Sequence, residues 1–307
     1  MSSLLRSPLL FLIALALMFS GVAQAQVRVV ATTPDLAAIA KAVGGDDVQV
    51  SALANSSQDP HYVDARPNLL VPLSRAQLLI VNGLELEVGW LPPLLSNARN
   101  RAILAGAAGH LDAGSVIQVL GRPTAQMDRA HGDVHVGGNP HYTFDPRRAK
   151  DVASAIRDKL RALEPSKTAQ WDANTAAFHA AMDAFIAQTR RDFAAIPPAQ
   201  RRIVTYHSSL PYLLDWLGLE EAATIEPLPG IDPTPRHTAS VLSTMRSQNI
   251  RVILQEEFYP RSTSTTLANM TQGELVILPG ATRFERGQSY LDHLREITRL
   301  IHSAISP

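Results

Sequence analysis

Thirty consecutive residues, Ser166 to Ala195, read as one continuous helix, and few architectures have room for it. Trp171, Phe178, Met182, Phe185, Ile186 and Phe193 recur at near-heptad spacing and keep one apolar face. A helix of that length spans about 45 Å. That is too long for one ordinary crossover, and it suits a strut joining two bodies. The stretch "IPPAQ" (196–200) ends it.

On either side the pattern changes to alternating strands and helices. "VRVVATT" (27–33), "VQVSAL" (48–53) and "QLLIVNG" (77–83) read as strands. Between them, "PDLAAIAKAVGG" and "PNLLVPLSRA" read as helices, with Pro34 suited to a first turn and Gly44 to a stop. Beyond the long helix, "RRIVTY" (201–206), "IRVILQ" and "ELVIL" are strands, and "SSLPYLLDWLG", "HTASVLSTMRSQ" and "TSTTLANMTQ" are helices. "SYLDHLREITRLIHSAI" closes the chain with a helical period. Strand–helix–strand alternation implies parallel sheets covered by helices, with ligands at the carboxyl ends of the strands. The expected architecture is therefore α/β: two lobes around a connecting helix, with no short-period repeat.

The first 25 residues stand apart. Arg6, the apolar run "PLLFLIALALMF" and the small residues "AQA" (Ala23 to Ala25) form an export leader with a cleavage site, so the mature chain is expected to start at Gln26. The apolar run is too short to span a bilayer comfortably. There is no cysteine, which excludes disulfides, thiolate metal sites and a lipid-modified N-terminal cysteine, so an exported chain must rest on packing alone. Basic and acidic residues number 28 each, and losing Arg6 leaves a net charge of −1. No basic field exists to attract nucleic acid or an anionic membrane. The expectation is an exported globular monomer, free of a lipid anchor.

No phosphate loop GxxxxGK[ST], dinucleotide fingerprint GxGxxG, HExxH or GxSxG elbow is present. Chemistry is left to ten histidines. His61 lies in "SSQDPHYVDARPN" after the strand ending at Leu53, and His141 lies in "GGNPHYTFDP". Each follows a proline that stiffens the backbone, and Asp145 with Pro146 reads as the cap and first position of a helix. His207 follows "RRIVTY" directly, at the carboxyl end of a strand. Each alone is compatible with a surface, core or capping histidine. Three imidazoles converging on one cleft would favour zinc over manganese, magnesium or calcium. His131 and His135, in "HGDVHVGGN", fall in a polar, glycine-containing loop. His179, His293 and His302 fall on helices as surface or packing residues, His237 reads as a helix-start residue, and His110 has no independent support.

"DPHYVDARPN", "IVNGLELEVGWLPPLL", "NPHYTFDP", "VTYHSSLPYLLDWLGL" and "ILQEEFYPRS" occur in the order of the signatures of a known family. Over essentially the whole mature chain the sequence resembles the ZnuA/TroA-like periplasmic solute-binding proteins of zinc and manganese ABC transporters. The resemblance implies two four-stranded α/β lobes, at 26–163 and 198–307, joined by one rigid helix at 164–197. It implies a metal between the lobes, held by His61, His141 and His207, for delivery to an inner-membrane ABC permease from the periplasm. Zinc is the implied ion, with manganese or iron as alternatives. Many members place an aspartate after the last core strand, where this chain has Pro279 and Gly280. Glu256 is the candidate fourth ligand in its place, with Glu257 or a water as alternatives. Zinc-specific relatives carry a histidine-rich loop near His131 and His135, so these two form either a sparse auxiliary capture loop or an ordinary one. The competing reading is an exported zinc hydrolase, in which Glu256 or Glu257 would serve as general base to a three-histidine site. A third, an organic-solute binding protein or adhesin, lacks a recognisable aromatic cage or carboxylate clamp.

Overall fold

The computed structural model describes residues 26–122, 135–228 and 230–306. The expected leader and His131 lie outside the described residues. Eight strands form two four-stranded parallel sheets with the same strand order. In the first, β1 (Val27–Ala31), β2 (Val48–Ala52), β3 (Leu78–Val81) and β4 (His110–Asp112) run β2-β1-β3-β4. In the second, β5 (Arg202–Thr205), β6 (Glu220–Thr224), β7 (Val252–Glu256) and β8 (Glu274–Leu278) run β6-β5-β7-β8. Both sheets reverse their winding between the two central strands, β1/β3 and β5/β7, which is where such sheets open a crevice at their carboxyl ends.

The helices follow local chemistry. Pro34 opens α1 (Pro34–Gly44), and Gly45, at φ 59°, turns the chain out of it. Short α2 (Leu70–Arg75) and α3 (Leu91–Ala98) cover the first sheet. Asp145 caps α4 (Pro146–Leu163) by accepting a hydrogen bond from the Arg147 amide, with Pro146 in the first turn. The long helix, α5, runs from Thr168 to Ala194, 27 residues or about 40 Å. It begins two residues later than its sequence period suggests, because Pro165–Lys167 close a 3-10 turn first. In the second sheet's body, α6 (Pro211–Leu217), α7 (Pro235–Ser247), α8 (Ser262–Thr271) and α9 (Tyr290–Ile305) complete the set.

The long helix joins the halves as expected, and the C-terminal helix adds a second tie. Trp171, Phe178 and Met182 of α5 are buried in the core of the first lobe, Phe193 in that of the second, and Phe185 packs against both. The C-terminal helix α9 does the same in the same order: Tyr290 and Leu294 enter the first core, and Ile297, Ile301 and Ile305 the second. The Tyr290 hydroxyl donates to the Thr143 carbonyl at 2.6 Å, and Asp35 of α1 accepts from both the amide and hydroxyl of Thr282, at 2.7 and 2.6 Å. Among the described residues, no helix is long and apolar enough to cross a membrane.

Candidate metal centre

Three imidazoles meet at the carboxyl ends of the two sheets. Each of His61, His141 and His207 offers a ring nitrogen, and the three atoms lie within 4.8 Å of one another. Ring centroids are 5.1 Å apart for His61–His141, 5.5 Å for His141–His207 and 5.8 Å for His61–His207.

His61 and His141 are presented by the same local device. In Asp59-Pro60-His61, one carboxylate oxygen of Asp59 accepts from the His61 amide at 2.9 Å and from its Nδ1 at 2.7 Å. In Asn139-Pro140-His141, the Asn139 side-chain oxygen accepts from the His141 amide and from its Nδ1, both at 3.0 Å. The intervening proline carbonyl is pinned in both: Pro60 by the Trp90 indole and Pro140 by the Asn82 amide, each at 2.9 Å. The proline–histidine–tyrosine repeat is thus the visible half of an Asx-Pro-His unit. His207 sits two residues beyond β5, and its Nδ1 donates to the carboxylate of Glu226, which follows β6. The Tyr259 ring lies 5.4 Å from the His207 ring.

A carboxylate or amide oxygen can only accept, so each Nδ1 carries the proton and each Nε2 presents a lone pair. Inward-facing lone pairs repel one another, and a cation relieves that repulsion. Burial, reinforced by His61, His207 and His135, pushes the His141 pKa well below the ordinary imidazole value, so it is neutral and ready to ligate. Burial also depresses that of His207, but the Glu226, Glu256 and Asp59 carboxylates outweigh it, and the net shift is upward. Asp59 is pulled below the usual carboxylate range despite its burial, because the His61 side chain and amide bond it.

Glu256 ends β7, is 1% exposed and accepts a hydrogen bond from the Ser209 hydroxyl. Its carboxylate is not among the ligand atoms grouped within 4.8 Å. Burial raises its pKa, with Ser209 and His207 working against the rise. Glu257 lies 3.9 Å from Arg283. His135, which the sequence places in a polar loop, stands beside the site: its Nε2 is 3.2 Å from the Nε2 of His61. The other described histidines are engaged elsewhere. Nδ1 of His110 donates to the Ile103 carbonyl, and Nε2 of His179 and His237 to those of Lys150 and Thr224. His302 bonds Ser306, and His293 is fully buried beside Phe144.

Asp59, Asn139 and Glu226 are the site residues that reading the sequence missed. The first two were detectable as the acceptor two places before each proline-borne histidine. Glu226 has no local signal.

Residues 29–304 match the family described as "Zinc-uptake complex component A periplasmic". The manganese ABC transporter substrate-binding lipoprotein PsaA of Streptococcus pneumoniae is 25% identical over 237 residues, covering 75% of this chain and 72% of PsaA. The zinc-binding lipoprotein AdcA of Streptococcus pneumoniae is 24% identical over 248 residues, covering 80% of this chain but 48% of AdcA. The crystal structure of ZnuA superposes with a TM-score of 0.76 at 24% identity, covering 92% of this chain and all of that one.

Proposed function

Because the chain belongs to this zinc-uptake family, whose members are the metal-binding components of ABC transporters, we propose that the ion it captures is zinc. The three Nε2 atoms of His61, His141 and His207 hold it between the two sheets, and no covalent chemistry takes place. An ABC permease receives the ion. The observation that carries this reading is the fixing of all three Nδ1 atoms by Asp59, Asn139 and Glu226, which aims three Nε2 atoms at one point. An all-nitrogen face suits zinc, whereas manganese and magnesium favour oxygen-rich sites. The relatives above carry manganese and zinc in their names, so the choice of ion rests on the donor set of this chain. Delivery from the periplasm after removal of residues 1–25 completes the reading, with no cysteine available to carry a lipid.

Calorimetry on metal-depleted protein tests it. Zinc is expected to bind with one tight equivalent at neutral pH, and manganese far more weakly. Absence of zinc binding, or a preference for manganese, refutes it.

A further inference from the structure

We infer that His135 is the fourth ligand, so that the ion sits in a closed four-imidazole shell. The inference rests on the reading above, that His61, His141 and His207 hold the metal.

Spacing is the first argument. Two nitrogens about 2.05 Å from one zinc ion at a tetrahedral angle stand roughly 3.3 Å apart, and their ring centroids roughly 5.2 Å apart. Nε2 of His135 is 3.2 Å from Nε2 of His61, and the two ring centroids are 5.2 Å apart. The pair already has the separation of two ligands sharing an ion. His135 and His141 are wider, at 6.5 Å, which is the adjustment the ion must draw in. Because Asp59 fixes the His61 proton on Nδ1, the facing Nε2 atoms can share either a proton carried by His135 or a metal. On ligation the ion replaces the proton between the rings, and a neutral His135 takes up its one ring proton on Nδ1 instead.

Anchoring is the second. The residues following His135 are tied down on several sides. The Val136 amide donates to Glu85 Oε2 at 3.1 Å, and the Gly138 amide to the His135 carbonyl at 3.1 Å. Leu84 and Glu85 hold left-handed backbone, φ 51° and 67°, a conformation that persists only where surroundings impose it. Gly138 turns at φ 112°, with the place of a Cβ only 3.0 Å from the Leu120 carbonyl. Asn139 then bonds the Ser208 carbonyl at 2.7 Å, one residue from His207. His135 is therefore carried on a built turn that reaches both lobes. Glu256, the other candidate, commits one carboxylate oxygen to Ser209; like His135 it lies outside the group of ligand atoms within 4.8 Å of one another, and it is His135 that stands at ligand spacing from His61.

Long-range proton–nitrogen spectra of metal-depleted protein labelled with 15N-histidine, titrated with one equivalent of zinc chloride, decide the matter. The Nε2 signals of four rings, His135 among them, are expected to move together to metal-bound positions. His135→Gln should remove one of the four, leave the other three responsive, and weaken zinc binding about tenfold or more. His131→Gln should leave the affinity unchanged. If three rings respond and His135 does not, this inference falls and the three-histidine reading stands. If no ring responds, both fall. Equal losses from His131→Gln and His135→Gln would replace ligation by loop capture and overturn the inference.

Discussion

Replacing Asp59 tests whether orientation of the imidazoles, more than their mere presence, sets the affinity of this site. In Asp59→Ala, His61 loses the acceptor for its amide and for its Nδ1, at 2.9 and 2.7 Å. Both bonds exist before metal arrives, so their loss acts through pre-organisation: the ring regains rotamers and a second tautomer, and its Nε2 becomes less basic. The two bonds, one from the ring and one from the backbone amide, share one charged acceptor oxygen and total about 2 kcal/mol, and partners of this kind carry roughly 10–100-fold in metal affinity. A loss of about thirty-fold is expected. Asp59→Asn is the sharper variant, because Asn139 already does the same work at His141 without a charge. It keeps both acceptors and gives up only charge assistance, about 1 kcal/mol or roughly fivefold. Competition for zinc against a chromophoric chelator measures both, with circular dichroism to establish that each variant is folded. If Asp59→Asn costs as much as Asp59→Ala, charge governs the site and the argument from geometry is refuted. If neither changes affinity, His61 is not a ligand.

Zinc affinity should fall as pH drops, because protons compete for the lone pairs; His207, whose pKa is raised, is protonated first, while His141, lowered, resists longest. Chelator competition between pH 8 and 5.5 checks this, and a pH-independent affinity would contradict it. His293 is fully buried with neither ring nitrogen hydrogen-bonded, and burial lowers its pKa even with Asp35 3.9 Å away. The unfolded chain therefore binds a proton the folded one does not, so stability present above about pH 6.5 is lost as pH falls toward the depressed folded value; His293→Leu should raise the melting temperature at pH 5 more than at pH 8. Trp171→Ala empties a fully buried position of α5, and a loss of about 3–5 kcal/mol is expected in urea unfolding.

Six of the eight described strands were legible as apolar, β-branched runs, two of them, β2 and β8, at sheet edges and only partly buried. The two that were not, β4 ("HLD") and β6 ("EEAAT"), are edge strands. One has three residues and the other is half polar, and both are strands only by virtue of the neighbour they pair with. The long helix announced itself through its period, but the role of α9 did not. A period shows that one face is buried; it does not reveal that the first turns of that face enter one lobe and the last turns the other. The site divides in the same way. Asp59 and Asn139 act within two residues of their histidines and were written in the local sequence. Glu226 reaches His207 only because β6 lies beside β5, nineteen positions away along the chain. His131 and His135 are four positions apart, which makes them look like partners, yet His135 meets His61 from 74 positions away.

The same cross-links say where selectivity must reside. A hinge between the lobes would have to break the packing of Phe185, Tyr290 and Leu294 and the Asp35–Thr282 bonds. It would also strip the segment around His141 from the second lobe, where the Tyr212 hydroxyl donates to the Asn139 carbonyl and the Trp216 indole to that of Phe144, at 2.9 and 3.0 Å. Cores spanned by two helices resist that motion far more than a loop resists a local one. Affinity in this protein is then not stored in a closing movement that any ion of the right charge could trigger. On the proposed three-histidine site it is stored in the fixed directions of ring nitrogens, and an ion content with fewer nitrogen donors gains little from them.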